Sequence, residues 1–361
     1  MKKLVALLFV GIAVLVVLLS KPSHKSVTSR ALPNTAELAI VHSSNRMGTL
    51  EPCGCQVNPY GGIDREANAV AQLRKVRPNL LFVDGGNLLN GGEATLEQNE
   101  KEDRAKVMVE MLNISGLNLF TPGPLDYDLG ALHLRRLQKS AHFPFISTNV
   151  RMASGGETVF KPYSIFEIGG VRYGVVSASD PAAISAVGVT VDSPDKTLAK
   201  WIPTVKKHAD IIILVSQLPN LASRDLAVKY GIPIVIGAEK SFGTDHAVLY
   251  QHGQHILVDT QIQGFLLGLL DIDFRFPFNG FTSDEEVERN RKSLAYLKKT
   301  QANSAHTHQF EESRLLSPIA GGSSYYSELI KLDEERFGAP NEVSALKERY
   351  YQSLRKTAVA E

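Results

Sequence analysis

The feature that most constrains the fold is a series of short, almost wholly apolar runs, each followed by small or polar residues. Residues 79–84, 211–216 and 232–237 are such runs. Continuous apolar runs of this length are typical of parallel strands that are covered on both faces. Segments with helical spacing alternate with the runs, which is the order of an α/β fold. We therefore predict one α/β domain over residues 37–276.

Two hairpins interrupt this alternation, and the composition changes after them. Gly169-Gly170 separates two strand-like segments, 163–168 and 171–177, and a second hairpin is predicted across Gly253. After Pro277 the chain becomes more polar and more charged. Helices are predicted in this part at 284–300, 324–337 and 342–356. Residues 277–361 are therefore expected to form a helical C-terminal extension.

The N-terminus predicts the compartment. Two lysines precede an uncharged apolar run over residues 4–19, which is short for a membrane span and long for the core of a signal peptide. Residues 1–20 are predicted to be a signal sequence or a membrane anchor, and residues 21–36 a polar linker. The protein is expected on the periplasmic side of the inner membrane if anchored, or in the periplasm if the segment is cleaved. The N-terminal segment is then expected to make the membrane one binding partner of the protein.

Charge and cysteine content exclude several classes of function. Lys and Arg number 39 against 38 Asp and Glu, so the net charge is +1 and no global field favours nucleic acid. Cys53 and Cys55 are the chain's two cysteines. They cannot supply a four-thiolate zinc site or iron–sulfur cluster, and no CxxCH haem motif is present.

Most predicted strands end in loops of small or polar residues, which is where open α/β sheets bind ligands. The stretches in question are Ser43-Ser44-Asn45, Gly85-Gly86-Asn87, Gly123-Pro124-Leu125-Asp126, Ser216-Gln217 and Gly237-Ala238-Glu239. They predict where a functional site lies, but not which ligand it binds or which reaction it catalyses.

The order of these stretches resembles the 5′-nucleotidase/UDP-sugar hydrolase branch of the calcineurin-like metallophosphoesterases. The resemblance covers about residues 38–275 and is carried by residues 39–48, 61–65, 80–91, 143–150, 209–214 and 264–272. It implies a four-layer αββα architecture with two stacked sheets, to which the helical C-terminal extension would be added. The nucleotide-binding domain that follows in the family is not found in the sequence after this match.

The family implies two divalent metals held by Asp, His and Asn, which activate water for attack on a phosphoester. Transferred onto this chain, the ligand positions are mostly neutral, apolar or shifted: Asn45, Met47, Asn87, Pro124, Leu125, Gln217, Glu239 and Ser241. Two neighbouring cations need anionic ligands to offset their repulsion. We therefore predict a degenerate site, no metal, and loss of metallophosphoesterase activity.

Both cysteines follow the first of these degenerate motifs. The sequence Pro52-Cys53-Gly54-Cys55 resembles a branch of the family that carries this motif, some members having selenocysteine and others a multihaem extension. That resemblance implies redox chemistry, with Cys53 and Cys55 as the catalytic couple. Because they are close to the cysteines in the sequence, Arg46, Arg65 and Glu51 are the candidate supporting residues. In an oxidising compartment the pair is expected to be a disulfide or a reactive dithiol.

Other interpretations of these features stay open. The cysteines could be a passive disulfide or two buried thiols, or could bind a soft metal with His42 or Met47. His306 and His308 could bind metal, although a solvated pair is the simpler interpretation. Three functions therefore remain: a thiol-redox protein, a non-enzymatic accessory of an envelope electron-transfer complex with a redox or cytochrome partner, and a residual metal-dependent phosphoesterase. Apart from the membrane and such a partner, no nucleic acid is expected to bind.

Overall fold

The computed structural model describes most of the chain after residue 30. The described residues are 31–55, 57, 59–91, 96–239, 247–260, 262–282, 288, 292 and 321–360. Residues 33–361 belong to one compact unit, and the other unit, residues 1–32, lies almost wholly outside the described residues. The predicted segment 1–20, most of the predicted linker 21–36, Ser241, His306, His308 and nearly all of the predicted helix 284–300 also lie outside them.

The described residues alternate between strands and helices. The strands are β1 (Thr35–Ser43), β2 (Leu80–Asp84), β3 (Leu119–Phe120), β4 (Val150–Met152), β5 (Tyr163–Ile168), β6 (Val171–Ala178), β7 (Val189–Val191), β8 (Ile211–Ser216), β9 (Ile234–Gly237), β10 (Val248–Tyr250), β11 (His255–Asp259), β12 (Leu266–Arg275), β13 (Phe281–Thr282) and β14 (Ser323–Lys331). The helices are α1 (Ile63–Val76), α2 (Gln98–Ser115), α3 (Ala131–Ser140), α4 (Pro194–Val205), α5 (Asn220–Tyr230), α6 (Glu334–Phe337) and α7 (Glu342–Ala360).

The strands form two six-stranded mixed sheets and a two-stranded one within the described residues. The first sheet has the order β13-β14-β12-β1-β2-β3, with β1 parallel to β2 and antiparallel to β12. The second has the order β10-β11-β9-β8-β6-β5, and β4 pairs with β7. The loops after β1, β2, β8 and β9 therefore follow the carboxyl ends of central, parallel-paired strands.

Strand β1 shows why the runs are apolar on both faces. Leu38 and Ile40 point into the core between the two sheets, whereas Ala39 and Val41 point into the core under the helices. Helices α1, α2, α3 and α7 cover the first sheet, and α4 and α5 cover the outer face of the second. The order of layers is thus helices, sheet, sheet, helices, and the predicted four-layer αββα fold is confirmed.

The hairpin predicted at Gly169-Gly170 joins β5 to β6, which pair antiparallel from Tyr163 with Val176 to Ile168 with Val171. Both glycines have positive φ, 57° and 80°. A two-residue hairpin turn with two positive φ values matches the twist of its strands and favours glycine at both positions. The local sequence therefore specifies this turn.

The helix predicted at 324–337 is wrong. Strand β14 occupies most of it and pairs antiparallel with β12, from Leu266 opposite Lys331 to Asp273 opposite Ser324. Only α6, residues 334–337, is helical, whereas the helix predicted at 342–356 is present as α7. The aromatic and β-branched residues of β14 suit a strand, and β12 supplies the hydrogen-bonding partner that decides it. The C-terminal part is therefore not purely helical.

Among the residues that the structure describes, no helix is long and apolar enough to cross a membrane.

Candidate functional site

The loops after β1 and β2 meet through two asparagine side chains. Asn87 Nδ2 donates to Asn45 Oδ1 at 2.8 Å, and Asn45 Nδ2 donates to the carbonyl of Glu239 at 3.0 Å. Both asparagines have left-handed backbones, with φ of 55° at Asn45 and 51° at Asn87. Asparagine is one of the few residues other than glycine that tolerate this conformation. The two amides therefore link the first sheet's loops to the loop after β9.

Gln217, directly after β8, closes the same region from the second sheet. Its Nε2 lies 2.9 Å from the carbonyl oxygen of Gly85 and 3.1 Å from those of Thr121 and Pro122. Its Oε1 is buried and has no hydrogen-bond partner among the described residues. We call Asn45, Asn87 and Gln217 the amide cluster. It joins five strand-end loops, and its three members are among the predicted metal-ligand positions.

The other predicted ligand positions surround this cluster. Met47 is buried, and its N–H donates to Asn87 O at 2.7 Å. Leu125 and Pro124 are half-buried, and Leu125 N–H donates to Asn87 Oδ1 at 2.9 Å. The Glu239 carboxylate accepts the N–H of Asn220 at the start of α5, at 3.1 Å. The structure therefore brings together every predicted ligand position within the described residues.

Two buried carboxylates lie behind the cluster, and backbone and hydroxyl donors occupy their oxygens. Asp84 accepts Gly86 N–H at 2.9 Å on one oxygen and Ser43 Oγ–H at 2.7 Å on the other. Asp126 accepts Leu89 N–H at 2.7 Å and Gly123 N–H at 2.8 Å. Burial raises the pKa of Asp84 to about 8 and that of Asp126 to about 7. Through these hydrogen bonds both carboxyl groups hold the loops after β2 and β3 in place.

The raised pKa of Asp84 predicts a stability that falls as pH rises. The unfolded chain releases this proton near pH 3.8, while the folded protein holds it until about pH 8. Within this window the carboxyl lowers the free energy of unfolding by up to ~1.4 kcal/mol for each pH unit. Asp84→Asn keeps an acceptor for Gly86 N–H and removes the titration. We expect the variant to have a flatter pH dependence than the wild type and greater stability at pH 8.

Urea unfolding between pH 5 and pH 8 measures this dependence. The matched control is Asp225→Asn on α5, because Asp225 is exposed. The control is expected to leave the slope unchanged. If Asp84→Asn also kept the wild-type slope, burial of this carboxyl would not be the cause of it.

The site does not fit the metal pair that the family implies. At the ligand positions the oxygens of Asn45 and Asn87 already accept hydrogen bonds from within the site, and both oxygens of Asp84 and of Asp126 are also occupied. Within the described residues no three His, Cys, Asp or Glu side chains form a group that could hold a metal. Neutral, mutually bonded amides do not offset the repulsion between two cations.

The two cysteines lie in a short loop, residues 52–61, which we call the thiol loop and of which residues 56 and 58 lie outside the described residues. Pro52 and Gly61 form a bridge at its base, and Cys53 N–H donates to Tyr60 O at 2.8 Å. Tyr60 N–H in turn lies 3.2 Å from Cys53 Sγ. Cys53 is half-buried and Cys55 is exposed. Among the described residues of the loop, the Cys53 sulfur thus accepts a backbone hydrogen bond, whereas the Cys55 side chain is exposed to solvent.

The three residues predicted to support the cysteines are engaged in ion pairs. Arg46 and Glu66 are both buried and form a salt bridge. Arg65 pairs with Glu334, and Glu51 accepts from Lys347 Nζ at 3.1 Å. Direct support of the thiols by Arg46, Arg65 and Glu51 stays a prediction.

His42, the predicted partner of a soft metal, is buried in β1 opposite Gly268. A Cβ added at Gly268 would lie only 2.1 Å from His42 Nε2, so the ring packs directly on the glycine backbone. Burial lowers the pKa of His42 to about 3, which keeps the ring neutral. This packing makes His42 part of the strand core, and a soft-metal site with the cysteines stays a prediction.

Sequence reasoning missed the attachment of the thiol loop to the C-terminal segment. Gly61 N–H donates to Leu332 O at 2.9 Å, and Arg65 donates to Leu332 O at 3.3 Å and to Pro59 O at 2.5 Å. Lys347 Nζ lies 2.9 Å from Asp64 Oδ2. About 270 residues separate these partners along the chain, so no local pattern indicates the contact.

Comparison with known proteins identifies relatives of this scaffold, although no protein-family model matches the chain. The chain is 27% identical over 175 residues to a 2′,3′-cyclic-nucleotide 2′-phosphodiesterase/3′-nucleotidase of Haemophilus influenzae, over 43% of this chain and 27% of that protein. It is 27% identical over 169 residues to the protein UshA of Yersinia enterocolitica, over 45% of this chain and 27% of that protein. These matches span only about a quarter of each relative's length.

The solved structures agree on the fold. The calcineurin-like phosphoesterase YfkN from Bacillus subtilis superposes with a TM-score of 0.63 at 18% identity, covering 88% of this chain and 98% of that one. The predicted resemblance to the calcineurin-like phosphoesterases and their 5′-nucleotidase branch is therefore confirmed. The finer resemblance to a Pro-Cys-Gly-Cys branch stays a prediction.

Proposed function

We propose that this 5′-nucleotidase-like protein has exchanged metal-dependent phosphoester hydrolysis for thiol redox chemistry at Cys53 and Cys55. The observation that carries the proposal is the amide cluster. Neutral side chains at the predicted metal-ligand positions are hydrogen-bonded to each other and to loop carbonyls. The thiol loop begins seven residues after Asn45 in the chain. The scaffold then serves to hold the thiol loop.

The redox step that we propose is thiol–disulfide exchange. A thiolate of a partner attacks the Cys53–Cys55 disulfide, and the partner's second cysteine then displaces the thiol of this chain from the mixed disulfide. The partner's two cysteines lose two electrons and two protons and form one S–S bond, while the Cys53–Cys55 disulfide becomes two thiols. A ring closed by two cysteines one residue apart is strained, and strain makes a disulfide easier to reduce.

The chain's N-terminal apolar run supports an exported and membrane-anchored location, where disulfides form and persist. The partner would then be an envelope thiol–disulfide or electron-transfer protein. This location rests on the sequence of residues 1–20 and on its basic flank.

The loss of hydrolysis is testable directly. We expect the purified protein to release no phosphate from 5′-AMP, and to cleave no bis-p-nitrophenyl phosphate, with Mn²⁺, Zn²⁺ or Mg²⁺ added. The physical reason is that none of the three amides of the cluster can supply the negative charge that two metals need. Metal content by elemental analysis is the companion measurement. Robust turnover that a chelator abolishes would contradict the proposal.

The thiol couple is tested by redox titration of the full-length protein, read as the mass shift after alkylation. We expect a reduction potential well above about −300 mV, so that mild dithiols reduce the pair. Circular dichroism should show an unchanged fold, because so short a ring contributes little to stability. Cys55→Ser and Cys53→Ser should each abolish the two-electron transition. Sulfurs that stay unreactive under both reducing and oxidising conditions would instead favour the accessory-protein interpretation.

A further inference from the structure

Two neighbouring clefts share the side chain of Trp201 as a wall. The first, of about 640 Å³, lies between residues 148–158, residues 191–193 and the start of α4. The second, of about 590 Å³, runs along edge strand β5. Neither includes a residue of the amide cluster or of the thiol loop. Together they form an extended depression that the proposed redox function does not use.

Three lysines give this depression its charge. Lys196 and Lys200 line the first cleft and Lys161 lines the second, and all three are exposed. In the described part of the chain, none of the three forms an ion pair with a carboxylate. Lys200 Nζ lies over the Trp201 ring, 5.0 Å from its centroid, so this ammonium covers one face of the shared wall.

The acidic residues of the first cleft offset only part of its positive charge. Hydrogen bonds from Arg151 and, to a smaller extent, the charge of Lys200 lower the pKa of Asp192. Asp192 is held by Arg151 through two hydrogen bonds, of 2.5 and 2.7 Å. Glu157 is held by Arg135 at 2.9 Å. A two-point arginine–carboxylate pair is rigid and self-compensated. The depression therefore keeps an excess of positive charge from its lysines.

Aromatic and hydroxyl groups complete the lining. The rings of Trp201 and Tyr163 lie 5.9 Å apart at 56°, and both side chains are half-buried. Thr158 in the first cleft and Ser164 in the second supply hydroxyls that can donate and accept. No Asn or Gln lines either cleft, so the side chains that read base edges by paired hydrogen bonds are missing from these linings.

We propose that this depression binds an anionic oligosaccharide. Sugar rings would pack on Tyr163 and, once Lys200 turns to an anionic group, on Trp201. Sugar hydroxyls would bond to Thr158 and Ser164, and sulfate, phosphate or carboxylate groups would pair with the lysines. Two clefts that share one wall suit a chain of rings better than a single small anion. The site is independent of Cys53 and Cys55.

Trp201 makes the test specific, because it is the chain's single tryptophan. The full-length protein is titrated with a heparin-type hexasaccharide, and the tryptophan fluorescence is followed. We expect a saturable change that weakens with added salt, and none with the neutral maltohexaose. Lys196→Gln combined with Lys200→Gln should weaken binding by about tenfold, because charge-assisted bonds to the anionic groups are lost. Lys207→Gln, an exposed lysine outside both clefts, should leave it unchanged.

Each other outcome would overturn the proposal. A short oligothymidylate or a polyglutamate that binds as tightly as the hexasaccharide would show that binding depends on negative charge alone and not on sugar rings. Equal binding by the lysine double variant and the Lys207→Gln control would place the ligand elsewhere. No fluorescence change and no binding by calorimetry would remove the site. None of these results bears on the redox titration.

Discussion

Arg46→Met is expected to destabilise the protein by about 3–5 kcal/mol, because it leaves the Glu66 carboxylate buried without its partner. The Arg46 and Glu66 side chains are 0% and 1% exposed and form a salt bridge with each other. Arg46 also donates to Thr49 O at 3.3 Å, in the loop that leads to the cysteines. Urea unfolding of the purified variant measures the loss.

The double variant Arg46→Met/Glu66→Leu distinguishes the effect of the ion pair's charges on stability from the effect of the volume that its side chains fill. Replacing both members of a buried ion pair with apolar residues of similar volume is often neutral, so we expect most of the stability to return. Arg355→Met is the matched control, because its pair with Glu348 is exposed on α7 and should be worth only about 0–1 kcal/mol. A double variant as unstable as Arg46→Met would show that shape, and not the unpaired charge, causes the loss.

Asn87→Asp is the second change for which we expect a large effect. The Nδ2 group that donates to Asn45 Oδ1 at 2.8 Å would become an oxygen facing an oxygen, at a site that is 4% exposed. We expect a cost of about 2–4 kcal/mol at pH 7, from the lost hydrogen bond and the buried charge. The cost should shrink at low pH, because protonation of the new carboxyl restores a donor.

Asn113→Asp is the control for this substitution. Asn113 makes the same two kinds of bond, donating to Ser140 O at 2.9 Å and accepting His142 N–H at 2.7 Å, but in an exposed setting. The Asn113→Asp variant should lose much less stability.

Excess Mn²⁺ should not restore stability to Asn45→Asp/Asn87→Asp, because the His positions of the family are also absent. Strong stabilisation by metal would show that the site still fits a cation and would contradict the proposed loss of hydrolysis.

The candidate site was predictable in location but not in its bonding. Asn45, Asn87 and Gln217 follow three different strands, and the carboxyl ends of such strands meet, so the sequence indicates that they are close. Which amide donates to which carbonyl depends on the left-handed backbones of Asn45 and Asn87 and on the distance between the two sheets. The neutral residues at the predicted ligand positions are therefore visible in the sequence, whereas the hydrogen-bond network that they form is not.

The C-terminal segment shows the opposite case. Residues 324–331 were predicted to be helical, and the partner that makes them a strand, β12, lies some 50 residues earlier in the chain. Neither the ladder with β12 nor the contact between Leu332 and the thiol loop leaves a periodic trace in the local sequence. Strand propensity depends strongly on such a context.

The sequence by itself determined the α/β class, the hairpin at Gly169-Gly170 and the region of the candidate site. These follow from apolar runs, backbone freedom and strand order, which act over a few residues at a time. Only the tertiary structure decided that β14 completes the first sheet, that Arg46 pairs with Glu66, and that Lys161 and Trp201 line one cleft. Each of these depends on residues that are distant in the chain and become neighbours when the layers pack, and packing geometry is not encoded in any one segment.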